Sequence, residues 1–190
     1  MGRPFSLNQG FQEVDTNLKT ERLILIPATE KTVRAEQQDH QRLAVLLHAR
    51  IPEDWPPETL ADALPWFEEQ LHRFPEDTGW YGWYALLNVP GRTLPVLAGG
   101  AGFKGAPDES GQVETGYSVL PCFQKRGLAS EMVRALTDWA FRQPGVRCII
   151  AQSAPDNAPS IRVLQKAGFK QCEGCGEPGL LLFKLERIER

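Results

Sequence analysis

Gln124-Lys125-Arg126-Gly127-Leu128-Ala129-Ser130 links an apolar, strand-like run, Tyr117-Ser118-Val119-Leu120-Pro121, to an amphipathic helical pattern from Glu131 to Phe141. A basic, glycine-containing turn between a strand and a helix is a ready anion cradle. The first turn of a helix has unsatisfied N–H groups, and the macrodipole adds partial positive charge there. Gly127 lets the backbone approach an anion closely, and Ala129 leaves room where a larger side chain would block it. Lys125 and Arg126 contribute two full charges, so the turn is suited to a diphosphate. A basic strand-to-helix turn without any ligand is a common alternative. The spacing matches neither Gly-x-x-x-x-Gly-Lys-Ser/Thr nor Gly-x-Gly-x-x-Gly.

The flanking segments narrow the reading. Upstream stands Val113-Glu114-Thr115-Gly116-Tyr117-Ser118-Val119, and downstream stands Asn157-Ala158-Pro159-Ser160-Ile161-Arg162-Val163-Leu164-Gln165-Lys166-Ala167-Gly168-Phe169. Glu-x-Gly-Tyr-x-Val-x-Pro, then Gln-x-x-Gly-x-Ala, then Asn-x-x-Ser-x-x-x-Leu-x-Lys-x-Gly-Phe resembles the GNAT acetyltransferase superfamily. Within it the pattern is most similar to the branch containing the ribosomal-protein N-terminal (Rim-type) acetyltransferases. The three motifs cover about residues 113–169, and a similar first strand from Leu18 to Pro27 extends the resemblance over most of the chain.

Bulk properties agree with one enzyme-sized domain. The chain of 190 residues suffices for one sizeable core and is short for two. A net charge of −3 argues against general nucleic-acid affinity. No apolar run approaches the roughly 20 residues needed to span a bilayer. Met1 to Asn17 is polar, with no apolar core of a secretory signal, and is expected to form a peripheral arm before a domain covering 18–190. Of Cys122, Cys148, Cys172 and Cys175, the last two have metal-like spacing, but no second pair or nearby His completes a zinc site. No metal is expected. The thiols read as reduced and the location as cytoplasmic.

Along the chain, Leu18 to Pro27 reads as one strand, ended by Pro27. A helix is expected from about Thr32 to His48, then a proline-enforced loop around Trp55. Leu60, Leu64, Phe67 and Leu71 recur at helical spacing, with Pro65 marking a kink or restart. Strand-like blocks follow at 80–87, 95–103 and 113–119, joined by links rich in Gly, Pro and Asp that suit hairpins. After the helix from Glu131, Cys148 to Ala151 reads as a strand covered on both faces. Ser160 to Ala167 is a short helix, and Leu180 to Leu185 a last strand. The order is that of one α/β domain with a central mixed sheet. The resemblance implies the same GNAT-like fold, with a mostly antiparallel, splayed sheet flanked by helices.

The resemblance further implies acetyl-CoA as cosubstrate. Its diphosphate would sit on the N–H groups of Lys125, Arg126, Gly127, Leu128, Ala129 and Ser130. The pantetheine arm would pair with the exposed backbone of Tyr117, Ser118 and Val119, and the Val119 amide would donate to the thioester carbonyl. A fixed N–H there stabilises the charge that builds when an amine attacks. Asn157 and Ser160 would approach the cofactor from the next strand–helix junction, although Asn157 would serve equally well as a helix cap.

Glu114 is the catalytic candidate, because an acceptor ammonium must lose a proton before it attacks. Simple alternation puts Glu114 and Val119 on opposite faces of one strand, unless a bulge intervenes. A structural strand carboxylate is the alternative. Many relatives carry Tyr seven residues after the motif Asn to protonate the leaving thiolate, and here that position is Leu164. Tyr117, a water, or no dedicated acid would then serve.

Acceptor recognition is expected from residues 50–90, where Trp55, Trp66, Trp80, Trp83, Phe67 and Tyr81 accompany Glu53, Asp54 and Glu58. Aromatic walls with carboxylates suit a cationic amine. Helical spacing favours the core for Trp66 and Phe67, while Trp55 is the better pocket or lid candidate and Trp83 a second. The expected activity is acetyl transfer to a peptide N-terminus or small-molecule amine in a ternary complex. A non-catalytic acyl-CoA-binding or regulatory domain is the alternative, and a homodimer is common in the family.

Overall fold

The computed structural model describes residues 17–173 and 176–187. The expected N-terminal arm falls almost wholly outside the described residues. The strand expected from Leu18 to Pro27 is two strands, β1 (Leu18–Lys19) and β2 (Leu23–Pro27). The chain reverses between them because Thr20 folds back on Leu23: its Oγ1 accepts from the Leu23 amide at 2.9 Å, and its own amide donates to the Leu23 carbonyl at 2.9 Å.

The helix expected from Thr32 to His48 is likewise two helices, α1 (Glu30–Gln38) and α2 (His40–Leu47). Asp39 causes the break. Its carboxylate caps α2 by accepting from the amides of Gln41 and Arg42, and its extended backbone cannot continue α1. Thr29 starts α1 through a capping box with Thr32. After the proline loop come α3 (Glu58–Ala61) and α4 (Leu64–Arg73), with Pro65 in the first turn of α4, where its missing N–H costs nothing. Pro65 therefore marks a restart, not a kink.

Strands β3 (Gly82–Leu87), β4 (Val96–Phe103) and β5 (Gln112–Val119) follow as antiparallel neighbours. Then α5 (Leu128–Arg142) crosses over to β6 (Cys148–Ser153), which lies parallel to β5. Finally come α6 (Ala158–Lys166), β7 (Lys170–Cys172) and β8 (Leu181–Glu186). Strand order in the eight-stranded sheet is β1-β2-β3-β4-β5-β6-β8-β7, antiparallel except at β5–β6.

One face of this sheet buries Leu25, Ala85, Phe103, Ile149 and Phe183 against Met132 and Leu136 of α5 and Leu164 of α6. The other buries Tyr84, Leu86 and Leu97 against Val33, Leu43 and Leu64 of α1, α2 and α4. Two helical layers on one alternating sheet is what this element order demands. No helix among the described residues is long and apolar enough to cross a membrane.

The sheet splays at β5. Its first half, Gln112 to Glu114, pairs with β6, while its second half, Thr115 to Val119, pairs only with β4. Beyond Glu114↔Ile150 the two parallel strands separate, leaving a cleft between the end of β5 and the start of α6.

Candidate active site

The basic turn closes onto the cleft. Lys125 and Gly127 both take left-handed backbone conformations, φ 60° and 80°, and Gly127 is the N-cap residue of α5. No side chain caps that helix, so the first-turn amides of Leu128, Ala129 and Ser130 stay open to an anion. A side chain at position 127 would incur left-handed strain.

The turn is held from a distance of over a hundred residues. The Arg22 guanidinium, just before β2, donates Nη1 to the Arg126 carbonyl at 2.7 Å and Nε to Glu131 Oε2 at 2.7 Å. The Arg22 amide and the Thr20 hydroxyl donate to the other Glu131 oxygen at 2.8 and 2.6 Å. Burial would push the Glu131 carboxyl up, but the bonds from Thr20 and Arg22 outweigh it and hold the group below its ordinary range. Arg126 also lies over the Phe123 ring, 5.7 Å from its centroid. No helical or strand periodicity signals Arg22 or Glu131 as a brace.

At the splay, the Leu120 amide donates to the Ala98 carbonyl of β4 at 3.0 Å. Successive strand amides point opposite ways, so those of Val119 and Tyr117 face away from β4, into the cleft. The Val119 carbonyl accepts from Gln124 Nε2 at 2.9 Å, which ties the strand end to the turn. Ser118 pairs with Gly100 of β4.

Across the cleft, the Tyr117 hydroxyl meets Ser160 Oγ at 2.9 Å and donates to the Ser160 carbonyl at 3.1 Å. Burial raises the Tyr117 pKa and the Ser160 bond partly offsets it, so the phenol stays protonated near neutrality. Asn157 is the N-cap of α6, its Oδ1 accepting from the Ser160 amide at 3.1 Å. Leu164 is fully buried under the sheet, as a core position of α6.

Glu114 stands at the apex of the splay. No register shift interrupts β5, so Glu114, Gly116 and Ser118 share the α1–α4 face and Val119 lies on the other. The Glu114 carboxylate, 20 % exposed, pairs with Lys104 Nζ at 2.7 Å and accepts from Gln152 Nε2 at 3.1 Å. Burial would lower the Lys104 pKa, but hydrogen bonding and charge from Glu114, with a smaller contribution from Glu177, raise it on balance.

On the same face, a cavity of about 590 Å³ lies between the sheet and the α1, α3 and α4 layer. Gly100, Gly102 and Gly116 line its floor, with open space above Gly116, and Gly116 to Ser118 carry it to the splay. Aromatic side chains from the 50–90 segment line it, with two differences from expectation. Trp66, expected in the core, is 41 % exposed and forms part of the wall, because Leu64 and Leu71 occupy the buried face of α4.

Trp83 touches the cavity, but its indole packs on Trp139 of α5 at 5.3 Å and donates to the Gly79 carbonyl at 2.8 Å. The ring is core on the opposite face, as strand alternation from Tyr84 requires. Trp55 is 2 % exposed and lines the cavity. Its loop packs as wall, with Trp55 Nε1 bonded to Glu36 Oε1 at 2.8 Å.

The acids are also differently placed. Glu53 and Asp54 are exposed, and the side chain of Glu58 lies outside the described part. The carboxylate in the cavity wall is Glu36 of α1, 3 % exposed. Its position beside Thr32, Val33 and Ala35 on the buried face of α1 is the one sequence signal that marks it. Among the described residues no group of three or more His, Cys, Asp or Glu is placed to hold a metal ion. Cys175 lies outside the described residues, and Cys172 is half-buried.

Residues 22–170 match the family model described as acetyltransferase (GNAT) domain. An uncharacterized N-acetyltransferase, YjdG, of Bacillus subtilis is 31 % identical over 135 residues, covering 71 % of this chain and 77 % of that protein. The solved structure of RimL, a ribosomal L7/L12 alpha-N-protein acetyltransferase in complex with coenzyme A, superposes with a TM-score of 0.59. Its identity is 19 %, over 90 % of this chain and 97 % of that one. The microcin C7 self-immunity acetyltransferase MccE, in complex with acetyl-CoA and AMP, also gives 0.59, at 13 % identity over 88 % of this chain and 94 % of its own. Uncapped helix, splayed strand and family model agree, and the chain belongs to the GNAT acetyltransferases.

Proposed function

We propose that this chain transfers the acetyl group of acetyl-CoA to a primary amine by direct attack in a ternary complex. One observation carries the reading: an uncapped helix N-terminus closely follows a splayed strand with two inward-facing amides, and Gly116 to Ser118 of that strand line an aromatic cavity. The open amides at 128–130, flanked by Lys125 and Arg126, fit a diphosphate, and the Tyr117 and Val119 amides fit an extended amide-bearing arm. Bound acetyl-CoA supplies an activated thioester carbonyl. In the transfer, the amine nitrogen bonds to that carbon, the carbon–sulfur bond breaks, and the sulfur leaves with the bonding pair.

The chain's own groups then have three tasks. The Val119 N–H stabilises charge on the carbonyl oxygen. Glu114, on the acceptor face, takes the proton of the amine, and its bonds to Lys104 and Gln152 aim it. The Tyr117 hydroxyl, held by Ser160, supplies a proton to the departing sulfur, a task for which the buried Leu164 is unsuited.

Calorimetric titration with acetyl-CoA, with ATP as control, tests the cofactor half. Saturable acetyl-CoA binding with no comparable ATP binding is expected, and the absence of acetyl-CoA binding to folded protein overturns the proposal. Glu114→Gln tests the base: acetyl-CoA binding is retained, while turnover falls about 10²- to 10⁴-fold and partly recovers at high pH. Unchanged turnover across pH removes Glu114 from the mechanism. Acetyl-CoA binding with no turnover on any primary amine would favour a non-catalytic acyl-CoA-binding domain.

A further inference from the structure

Glu36 is buried without a counter-ion. Its Oε1 accepts from Trp55 Nε1 at 2.8 Å and its Oε2 from the Tyr84 hydroxyl at 2.6 Å, and no cation among the described residues pairs with it. A carboxylate so placed costs several kcal/mol unless it is neutral or meets a positive charge. Two neutral donors leave lone pairs on both oxygens unused. The group lines a cavity whose wall around it is mostly apolar and aromatic, with Val33, Leu60, Leu64, Trp66 and Phe67, while the cation in the lining, Lys104, is paired with Glu114.

Its position relative to the splay follows from the register. Tyr84, Gly100 and Ser118 lie side by side on β3, β4 and β5. Two strand spacings, about 10 Å, therefore separate the Tyr84 backbone from that of Ser118. Gly100 carries no side chain between them, and a Cβ there would lie 3.4 Å from the Trp55 ring and 3.7 Å from Leu60. Trp55 and Leu60 thus close over Gly100 at contact distance, and one cavity reaches from Glu36 to Gly116, Tyr117 and Ser118 at the strand end where acyl transfer is placed.

We propose that Glu36 is the specificity-determining residue of the acceptor cavity, receiving a cationic group of the acceptor other than the amine that attacks the thioester, carried on an apolar or aromatic body. The inference rests on the reading of this cavity as the acceptor site. Trp55 and Tyr84 hold the carboxylate rigidly, so it is a positioned charge and not a mobile one. An acceptor with a carboxylate in place of the cation meets repulsion at this point. Without ligand, burial pushes Glu36 up to about 7, partly offset by the bonds from Tyr84 and Trp55. An arriving ammonium stabilises the ionised form and expels the proton.

Few other groups bear on this titration. Tyr84 on β3, raised well above its ordinary value by burial and by Glu36, stays neutral. Lys104, just after β4, is paired with Glu114, and Tyr117 on β5 with Ser160. The α4 wall contributes no charge to the cavity, and the loop after α2 contributes only Trp55. On α1 itself, Arg34 turns to the surface, to Glu30 and Glu68.

The test is calorimetric binding to the full chain with saturating coenzyme A, using 2-phenylethylamine and its neutral counterpart 2-phenylethanol. The wild type is expected to bind the ammonium at least tenfold tighter than the alcohol, and Glu36→Gln to lose that preference while binding the alcohol unchanged. In the wild type, ammonium affinity falls about tenfold per pH unit below about 7, and buffers of different ionisation enthalpy show proton release. This measurement needs no variant, so a poorly folding Glu36→Gln leaves the test intact. Equal binding of the two probes, no binding of either, or a preference that survives Glu36→Gln in a folded protein overturns the inference. Coenzyme A binding is read in the same titrations: its failure sinks the acetyltransferase mechanism, whereas its success without ammonium preference sinks only the role of Glu36.

Discussion

Glu131→Ala tests the brace that holds the diphosphate turn. The substitution removes the acceptor of the Thr20 hydroxyl, the Arg22 amide and the Arg22 guanidinium together. The Arg22 amide is part-buried, and leaving such a donor unpaired costs about 1–3 kcal/mol. The ion pair itself contributes less, since Arg22 is 40 % exposed, and we assign it about 0.5–1 kcal/mol. A loss of about 2–3 kcal/mol is therefore expected, or roughly 4–12 °C in melting temperature for a chain of this size. Thr20→Ala removes one of these bonds and should cost about 1 kcal/mol.

Function should fall with stability, because the freed guanidinium no longer fixes the Arg126 carbonyl at 2.7 Å. Acetyl-CoA affinity is expected to weaken about tenfold, equivalent to about 1.4 kcal/mol. The sign with pH also follows. The folded-state pKa of Glu131 is depressed, so its contribution is fully present above the unfolded value of about 4.3 and is lost as pH falls through the folded value. The stability gap between wild type and Glu131→Gln should accordingly shrink in acid. Chemical denaturation and acetyl-CoA titration of both variants read these effects. A stability loss below about 0.5 kcal/mol, or a normal acetyl-CoA affinity in the destabilised variant, would refute the brace.

Two further substitutions probe the scaffold. Leu164→Ala empties a fully buried site on α6 and should cost about 2–5 kcal/mol by thermal or urea melts, a near-neutral result contradicting a core role for the residue. Gly102→Ala would set a Cβ 1.7 Å from the Tyr81 carbonyl, so on the order of 3 kcal/mol or more should be lost, with collapse of the β3–β4 edge of the cavity. A soluble, fully stable Gly102→Ala protein would show that the strands do not approach as closely as described.

The sequence by itself determined what is local and contiguous. The strand, turn and helix around Gly127 are read from adjacent residues, because an uncapped helix start behind a left-handed glycine is a property of the turn itself. Alternation along 113–119 was enough to separate Glu114 from Val119. Helix and strand boundaries were less legible: Asp39 is as compatible with a surface position on one long helix as with a cap between two, and the structure shows the cap.

Tertiary structure alone decided the groups that act across the chain. Arg22 meets Glu131 over a separation of 109 residues, and Glu36 meets Tyr84 over 48. Nothing periodic relates such pairs, since burial and the dielectric around a carboxylate depend on what other elements cover it. The same reason separates the tryptophans. Trp55, Trp66 and Trp83 look alike as aromatic residues in one segment, yet sheet alternation turns the Trp83 ring to the opposite core, while the loop before α3 and the side of α4 away from Leu64 and Leu71 set Trp55 and Trp66 on the cavity.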